Sequence, residues 1–194
     1  MSGSWATGGA KRDPSLEPHH VAENHYAAPT DFVLHWFTDF RVGEGWLRAL
    51  EIPASAHVEV AERLRVLDAE KPHGHLRMRL EIESPSRWTR VDESFNEKEE
   101  LLLRIFVTET LFPEPSGSYH RVESWVDSAR VRTNFLVARA ARSALARRDL
   151  RTYSQVKPLL EHDYRDSLGD PTLPTARSDA GTEGAGHDPF HQRS

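Results

Sequence analysis

The last third of the chain lacks helix-breaking residues over a long stretch. Between Ser118 and Leu168 there is no glycine, and the one proline is Pro158. Alanine, leucine and arginine, which all favour helix, crowd residues 135–151. This stretch predicts a closing helix from about Asn134 to Arg165, roughly 45–50 Å long at about 1.5 Å per residue. Because so long a helix needs a broad surface to pack on, it constrains what the rest of the chain can form.

The predicted helix has one apolar face. At about 100° per residue, one stripe of roughly 120° collects most of its large apolar residues. The stripe consists of Phe135, Ala138, Ala141, Leu145, Thr152, Tyr153, Val156, Leu159 and Leu160. Largely outside it fall Arg132, Arg139, Arg147, Arg148 and Arg151. We therefore expect the stripe to pack on the protein and the arginines to face solvent. Residues 131–137 also fit a strand, which leaves the start of the helix open.

Segments with the period-two alternation of β-strands precede this helix. The clearest is 75–83, in which Leu76, Met78, Leu80 and Ile82 alternate with polar residues. Further strands are predicted at His57–Leu67, Arg87–Phe95, Leu101–Phe112 and Tyr119–Val126. Turn-forming residues at 71–74, 84–86, 96–100 and 113–117 separate them. Connections this short predict an antiparallel meander.

The start of the chain adds one strand and two short helices. A strand is predicted at His19–Ala27. A helix should begin at Ala28-Pro29-Thr30-Asp31, with Thr30 or Asp31 as its N-cap, and end before Gly43 and Gly45. Trp46–Leu50 predicts a second helical turn. Together these elements indicate a single α+β domain over residues 19–166, with disordered segments at 1–18 and 167–194.

The order of these elements resembles the START/Bet v 1-like superfamily (SRPBCC), which includes polyketide cyclase and coenzyme-Q-binding families. The resemblance rests on that order and on Ala28–Val33, Thr38–Arg41, Ser84–Trp88 and Arg147–Leu150. It implies a helix-grip fold, in which a curved antiparallel sheet wraps around the long C-terminal helix and encloses a cavity for a hydrophobic ligand. The competing fold is NTF2-like, but there the long helices come first. The helix-grip fold is therefore preferred.

Composition and motifs exclude several function classes. With no cysteine among 194 residues, disulfides and thiolate chemistry are excluded. Dinucleotide, P-loop, zinc-protease and serine-hydrolase motifs are missing, so we predict no cofactor. A net charge of −5 does not suggest nucleic acid as a partner. No 18-residue apolar run is present, so we expect a soluble, cytoplasmic protein that does not span a membrane. Transient membrane contact and the oligomeric state stay open.

Three polar residues are candidates for acid–base catalysis. Glu62 and Glu109 each occupy an apolar face of their predicted strands, and His120 shares a face with Val122. A carboxylate in such a position must be paired, bound to a ligand, or neutral. Alternatively, a strand bend turns Glu62 to solvent, and His120 is a satisfied core histidine. Among the 11 histidines, the pair His73 and His75 lacks a third ligand at a fixed spacing, so no metal site is predicted.

Aromatic and apolar residues supply candidate walls for a ligand cavity, although core filling is their ordinary role. Together with Glu62 and Glu109, the predicted ligand-binding residues are Trp36, Phe37, Phe40, Trp46, Trp88, Trp125, Leu145 and Tyr153.

Three functions remain open from the sequence. The first is binding of a hydrophobic or amphipathic small molecule, such as a lipid, a quinone or a polyketide-like compound, between the last helix and the sheet. The second is an enzyme of the cyclase, aromatase or dehydratase type that uses a cavity Glu or His. The third is an interaction module that docks RNA, a ribosome or a protein through its arginine-rich helix.

Overall fold

A computed structural model describes residues 17–127 and 135–169 of the protein. The predicted disordered segments lie mostly outside these ranges, as does the predicted helix start at Asn134. The three helices described are α1 (Thr30–Thr38), α2 (Gly45–Ala49) and α3 (Phe135–Ser167). The strands are β1 (His20–Tyr26), β2 (His57–Val60), β3 (Leu64–Lys71), β4 (Gly74–Ser84), β5 (Arg87–Phe95), β6 (Leu101–Glu114) and β7 (Gly117–Val126).

The strands form one antiparallel sheet in the order β1-β7-β6-β5-β4-β3-β2. Consecutive strands from β2 to β7 are neighbours, as the short predicted turns require. The first two strands lie at opposite edges, and α1 and α2 connect them. This arrangement confirms the predicted α+β helix-grip fold, a curved antiparallel sheet around a long C-terminal helix.

The prediction of a single strand over His57–Leu67 is wrong. The chain reverses after Val60, and the backbone N–H of Ala61 donates to the carbonyl of Leu64 at 2.8 Å. This reversal contains neither glycine nor proline, so its residues carry no turn signal. Because of this reversal, Val58 and Leu67 lie opposite each other on two paired strands and not along one strand. The alternation predicted for a single strand therefore does not tell which residues face the helix.

One face of the sheet is turned toward α3 and forms the core with it. Two cross-strand rows show its composition. One contains Ile82, Trp88, Glu109 and Val122, and the next contains Leu80, Arg90, Val107 and Ser124. From α3, the buried residues are Leu145, Asp149, Tyr153, Val156 and Leu160. The core thus combines apolar side chains with charged ones on the same face.

Two helix starts differ from the sequence expectations. Phe135, which belongs to the predicted apolar stripe, is 74% exposed. No other described residue of α3 before Leu145 is fully buried either, so the stripe packs on the protein only in the later turns of the helix. At α1, Pro29 takes the N-cap position and no side chain caps the helix, so the prediction of Thr30 or Asp31 as the cap is wrong.

Packing of α3 on the sheet can be tested with two leucines of the same helix. Leu160 is fully buried, whereas Leu150 is 75% exposed. We expect Leu160→Ala to lower the free energy of unfolding by about 2–5 kcal/mol, because it removes buried methyl groups and leaves a cavity. Leu150→Ala should change it by less than about 0.5 kcal/mol. Urea unfolding followed by circular dichroism measures both, and equal losses would contradict the packing described.

Candidate functional site

Four charged or ionisable side chains are buried together between α3 and the sheet. This central ion cluster consists of Arg90 and Asp92 on β5, Glu109 on β6 and His120 on β7. Arg90 donates from Nε to Asp92 Oδ1 at 2.9 Å and from Nη1 to Glu109 Oε1 at 2.7 Å. The other carboxylate oxygen, Glu109 Oε2, lies 3.0 Å from His120 Nε2. Strand alternation brings these residues to the same face. Each lies an even number of positions from a buried apolar residue of its own strand, which is Trp88 in β5, Val107 in β6 and Val122 in β7.

Aromatic side chains enclose the central ion cluster. The ring of Trp88 stacks on that of His120 with centroids 5.5 Å apart, and Arg90 lies 5.1 Å above the ring of Trp46. Two tyrosines point their hydroxyl groups inward. The hydroxyl of Tyr153 is 3.4 Å from Glu109 Oε2, and that of Tyr26 is 3.4 Å from His120 Nδ1. The cluster is therefore screened from water by apolar rings, which strengthens the interactions within it.

The ionisation of Glu109 follows from these contacts. Burial alone would raise the pKa of Glu109, but the positive charge of Arg90, together with the neighbouring side chains of His120 and Trp88, outweighs it, so the pKa lies below its ordinary value. Burial raises the pKa of Tyr26 and Tyr153, and the negative charge of Glu109 adds to that effect. The site thus holds an ionised carboxylate between two neutral phenols.

Two consecutive residues of α3 connect the helix to this site. Arg148 Nη2 donates to Asp92 Oδ2 at 2.5 Å. The next residue, Asp149, places Oδ2 3.5 Å from His20 Nε2 on β1. Burial raises the pKa of Asp149, and the charges of Arg148 and His20 only partly oppose that rise. The helix is therefore held to the sheet through charges as well as through its apolar stripe.

The structure brings Glu109 and His120 together but separates Glu62 from them. Glu62 lies on the turn between β2 and β3 and is exposed, as the alternative interpretation of a bend toward solvent predicts. It is neither a cavity ligand nor an acid–base partner of Glu109.

The predicted wall residues are mostly buried in the common core, with one exception. The residues found there are Trp36, Phe37, Phe40, Trp46, Trp88, Leu145 and Tyr153. Trp125 is instead the cross-strand partner of Phe106, on the sheet face turned away from α3. Its placement as a cavity wall is wrong, because the neighbouring Ser124 takes the inward position. Among the described residues, no His, Asp and Glu side chains gather as a metal site would require.

Sequence reasoning missed Arg90, Asp92, Arg148 and Asp149. A signal was present for the first two, because alternation from the inward Trp88 places Arg90 and Asp92 on the same face. The helical angle of Arg148 predicts a solvent-facing residue, but its long side chain reaches Asp92 from the border of the apolar stripe. A signal was present for Asp149 as well, because it lies four residues after Leu145 and four before Tyr153, within the apolar stripe of the helix.

Space for a ligand differs between the centre and one end of the site. At the centre, Phe37, Trp46 and Trp88 are fully buried and fill the space around the cluster. At the end where β6 begins, Leu103 lies on the face turned toward α3 and yet is 40% exposed. We call this region of the sheet, around Leu76 and Leu103, the open end. A separate surface cleft of about 330 Å³ lies beside Trp36 and Asp163.

Comparisons with known proteins agree with this fold. No protein-family model matches the sequence, and no curated protein matches it. Among solved structures, the protein MLL2253 from Mesorhizobium loti is 18% identical, with 74% of this chain and 96% of that chain covered and a TM-score of 0.53. The di-domain ARO/CYC StfQ from the steffimycin biosynthetic pathway is 12% identical, with 77% and 51% covered and a TM-score of 0.53. This chain therefore spans about half of StfQ.

A third similar structure is Ara h 8.0201, which is 8% identical, with 73% of this chain and 95% of that chain covered and a TM-score of 0.50. Together with the element order, these likenesses show that the fold is START/Bet v 1-like. At such low identities they show the fold alone. Within the described ranges, no helix is both long and apolar enough to cross a membrane.

Glu109→Gln tests the central ion cluster. It removes one of the two carboxylates bonded to the buried Arg90 and leaves Asp92 as the other, and we expect it to lower the free energy of unfolding at pH 7 by about 3–5 kcal/mol. Because the folded-state pKa of Glu109 lies below its ordinary 4.5, its contribution is present above that value and lost as the pH falls through the folded-state pKa. Urea unfolding of the variant should accordingly depend less on pH in this range.

The matched control is Glu123→Gln, which removes the part-exposed ion pair between Glu123 and Arg121. We expect it to cost less than about 1 kcal/mol. If both variants lose the same stability, the buried cluster does not hold Glu109 as described.

Asp149→Asn should raise the stability of the protein at pH 7, whereas Glu109→Gln should lower it. Because the folded-state pKa of Asp149 is raised, its effect on stability becomes less favourable as the pH rises through that pKa. We expect the Asp149→Asn variant to have a higher urea midpoint than the wild type at pH 7. The gain should shrink at pH 3, below the ordinary Asp value of 3.8, where the wild-type carboxyl is protonated in both states. A lowered midpoint at pH 7 would show that its contacts with Arg148 and His20 outweigh burial.

Proposed function

We propose that this protein binds a small amphipathic molecule between α3 and the sheet, with the polar part of that molecule at the charged groups beneath the helix. The observation that supports this most is the burial of Arg90, Asp92 and Glu109, each 6% exposed or less, inside a helix-grip fold. Buried ion pairs seldom stabilise a fold more than apolar side chains of similar volume would. Recognition of a polar group therefore accounts for them better than stability does.

The apolar part of the molecule would lie at the open end. The course of α3 supports this, because Arg148 contacts β5 at Asp92 while Tyr153, further along the helix, contacts Glu109. The turns before Arg148 therefore extend past Asp92 toward Leu76 and Leu103. Ala138 and Ala141 give this part of the helix small side chains, which leave room above the sheet. An apolar group there would cover surface that is now exposed to water.

Acid–base catalysis is the second candidate, and one chain of contacts favours it. It runs from the hydroxyl of Tyr26 to His120 Nδ1 at 3.4 Å, and from His120 Nε2 to Glu109 Oε2 at 3.0 Å. The Glu109 carboxylate orients the imidazole so that its other nitrogen can take up a proton as a general base, and the phenol of Tyr26 supplies a proton donor. This candidate has the same site and needs a ligand that reacts there.

The interaction-module hypothesis has less support. Arg148 is used inside the protein, in its bond to Asp92. The exposed arginines of α3 include Arg139, Arg147 and Arg151, and among the described residues of this helix a single exposed aromatic ring, that of Phe135, accompanies them, which is a small platform for nucleic acid bases.

The binding proposal can be tested with a double variant that keeps the volume of the site. Arg90→Met with Glu109→Leu replaces the buried pair by apolar groups, and such replacements often keep or raise stability. We expect wild-type protein to retain a stoichiometric small molecule in native mass spectrometry, and its organic extract to give the identity. The double variant should be folded and should carry the molecule at less than about a tenth of that occupancy, since a desolvated charge contact contributes about 2–5 kcal/mol.

The matched control exchanges an ion pair on the other face of the sheet, Arg104 with Glu93, whose Nε and Oε1 atoms are 2.6 Å apart. Arg104→Met with Glu93→Leu should keep full occupancy. Binding is contradicted if the wild type carries no molecule and does not bind 2-naphthol below millimolar concentration. Catalysis is indicated instead of simple binding if wild type converts the extracted molecule and His120→Asn does not.

A further inference from the structure

A second group of polar side chains lies where β1, β7 and α3 meet, apart from the Arg90–Glu109 pair. We call it the β1–α3 polar site, and it consists of His20, Ser124, Arg148 and Asp149. His20 and Ser124 are direct cross-strand partners, and the ring of His20 reaches Asp149 Oδ2 at 3.5 Å. Three atoms of this site, Ser124 Oγ, Arg148 Nη1 and Asp149 Oδ2, are buried without a hydrogen-bond partner among the described residues. Buried polar atoms normally have one.

These three atoms define what a partner must offer. Arg148 Nη1 can only donate a hydrogen bond, an ionised Asp149 Oδ2 can only accept one, and the hydroxyl of Ser124 can do either. A group that satisfies them must therefore accept from the arginine and donate to the carboxylate. Hydroxyl and carboxamide groups meet this requirement, whereas a carboxylate cannot donate and an ammonium cannot accept.

The surrounding charges favour an uncharged group as well. With Asp149 ionised, three carboxylates, those of Asp92, Glu109 and Asp149, face the two guanidinium groups of Arg148 and Arg90. An added anion would increase this negative excess and lie against Asp149, whose ionised form burial already disfavours. An added cation would lie against Arg148, so neither charged group satisfies both Arg148 and Asp149.

Solvent can reach the site from one side. The side chains of His20 and Arg148 are part-exposed, whereas Ser124 and Asp149 lie beneath them. Arg148 is also the residue at which α3 passes from the open end onto the central ion cluster. A molecule with its apolar body at the open end therefore has its polar end within reach of this site.

We propose that the β1–α3 polar site binds the neutral hydroxyl or carboxamide end of the ligand, which accepts from Arg148 Nη1 and donates to Asp149 Oδ2. Ser124 Oγ completes the contacts to this end. The inference rests on the proposed binding function and specifies the chemical class of the ligand.

A series of probes with one apolar body tests this class. The full-length protein is titrated at pH 7 with naphthalene, 2-naphthol, 2-naphthamide, 2-naphthoate and 2-naphthylmethylammonium, and the tryptophan fluorescence is followed. We expect 2-naphthol and 2-naphthamide to bind at least about tenfold more tightly than the two charged probes, since an unpaired buried charge is strongly disfavoured.

Two serines of β7 provide a matched pair of variants. Ser124→Ala removes one hydroxyl from the site, and it should weaken 2-naphthamide binding roughly 3–10-fold, the usual effect of one hydrogen bond. Ser118→Ala removes an equally buried and unpartnered hydroxyl on the same face of β7, about 20 Å away at about 3.3 Å per residue. This control should leave binding unchanged. Asp149→Asn removes the nearest negative charge and should strengthen 2-naphthoate binding about tenfold.

The outcomes separate this inference from the proposed function. If all five probes bind with equal affinity, or if Ser124→Ala and Ser118→Ala behave alike, the three atoms only hold water and the inference is overturned while binding itself stands. If no probe binds, including naphthalene, both this inference and the proposed binding function are contradicted. Preference for the neutral polar probes that is lost in Ser124→Ala supports the inference.

Discussion

The bond between Arg90 and Glu109, at 2.7 Å and out of contact with solvent, is the interaction on which the interior depends. Each group offsets the cost of burying the other's charge, because an unpaired buried charge is strongly disfavoured. Their neighbours complete the balance. Asp92 takes a second bond from the guanidinium, while Tyr153 and His120 contact the other carboxylate oxygen. These contacts connect strands β5, β6 and β7 to α3 at one point. The charged ends of the side chains must therefore keep their positions relative to one another.

This constraint also distinguishes the interior from a simple hydrophobic container. An apolar cavity would accept any molecule of suitable size, whereas a fixed pattern of donors and acceptors selects by chemical group. The aromatic rings around the cluster exclude water and so make each polar contact more discriminating. Binding and catalysis therefore start from the same arrangement. What separates them is whether the bound group can exchange a proton with Glu109 or His120.

The sequence predicted the fold well because the fold depends on element order and on short connections. It put Glu109 and His120 forward as candidates because regular alternation holds in β6 and β7. It failed at Glu62, where a hairpin forms without glycine or proline, and alternation cannot be carried across an unrecognised turn. It also missed Arg148, since helical angle alone does not tell how far a long side chain reaches, and Asp149, although the helical angle of Asp149 places it within the apolar stripe. Pairing across distant elements is decided by packing, and one sequence does not contain that information explicitly.

The contacts of the described residues anchor the two halves of α3 unequally. Near its C-terminal end, Asp163 bonds both Trp36 Nε1 and Arg48 Nη2, and Glu161 accepts from the backbone N–H of Ala27. Before Leu145, no described residue of α3 is fully buried. Among the described contacts, most of those that hold α3 to the domain therefore lie in its second half. Local opening of the domain should accordingly begin at the first half of α3 rather than at the second.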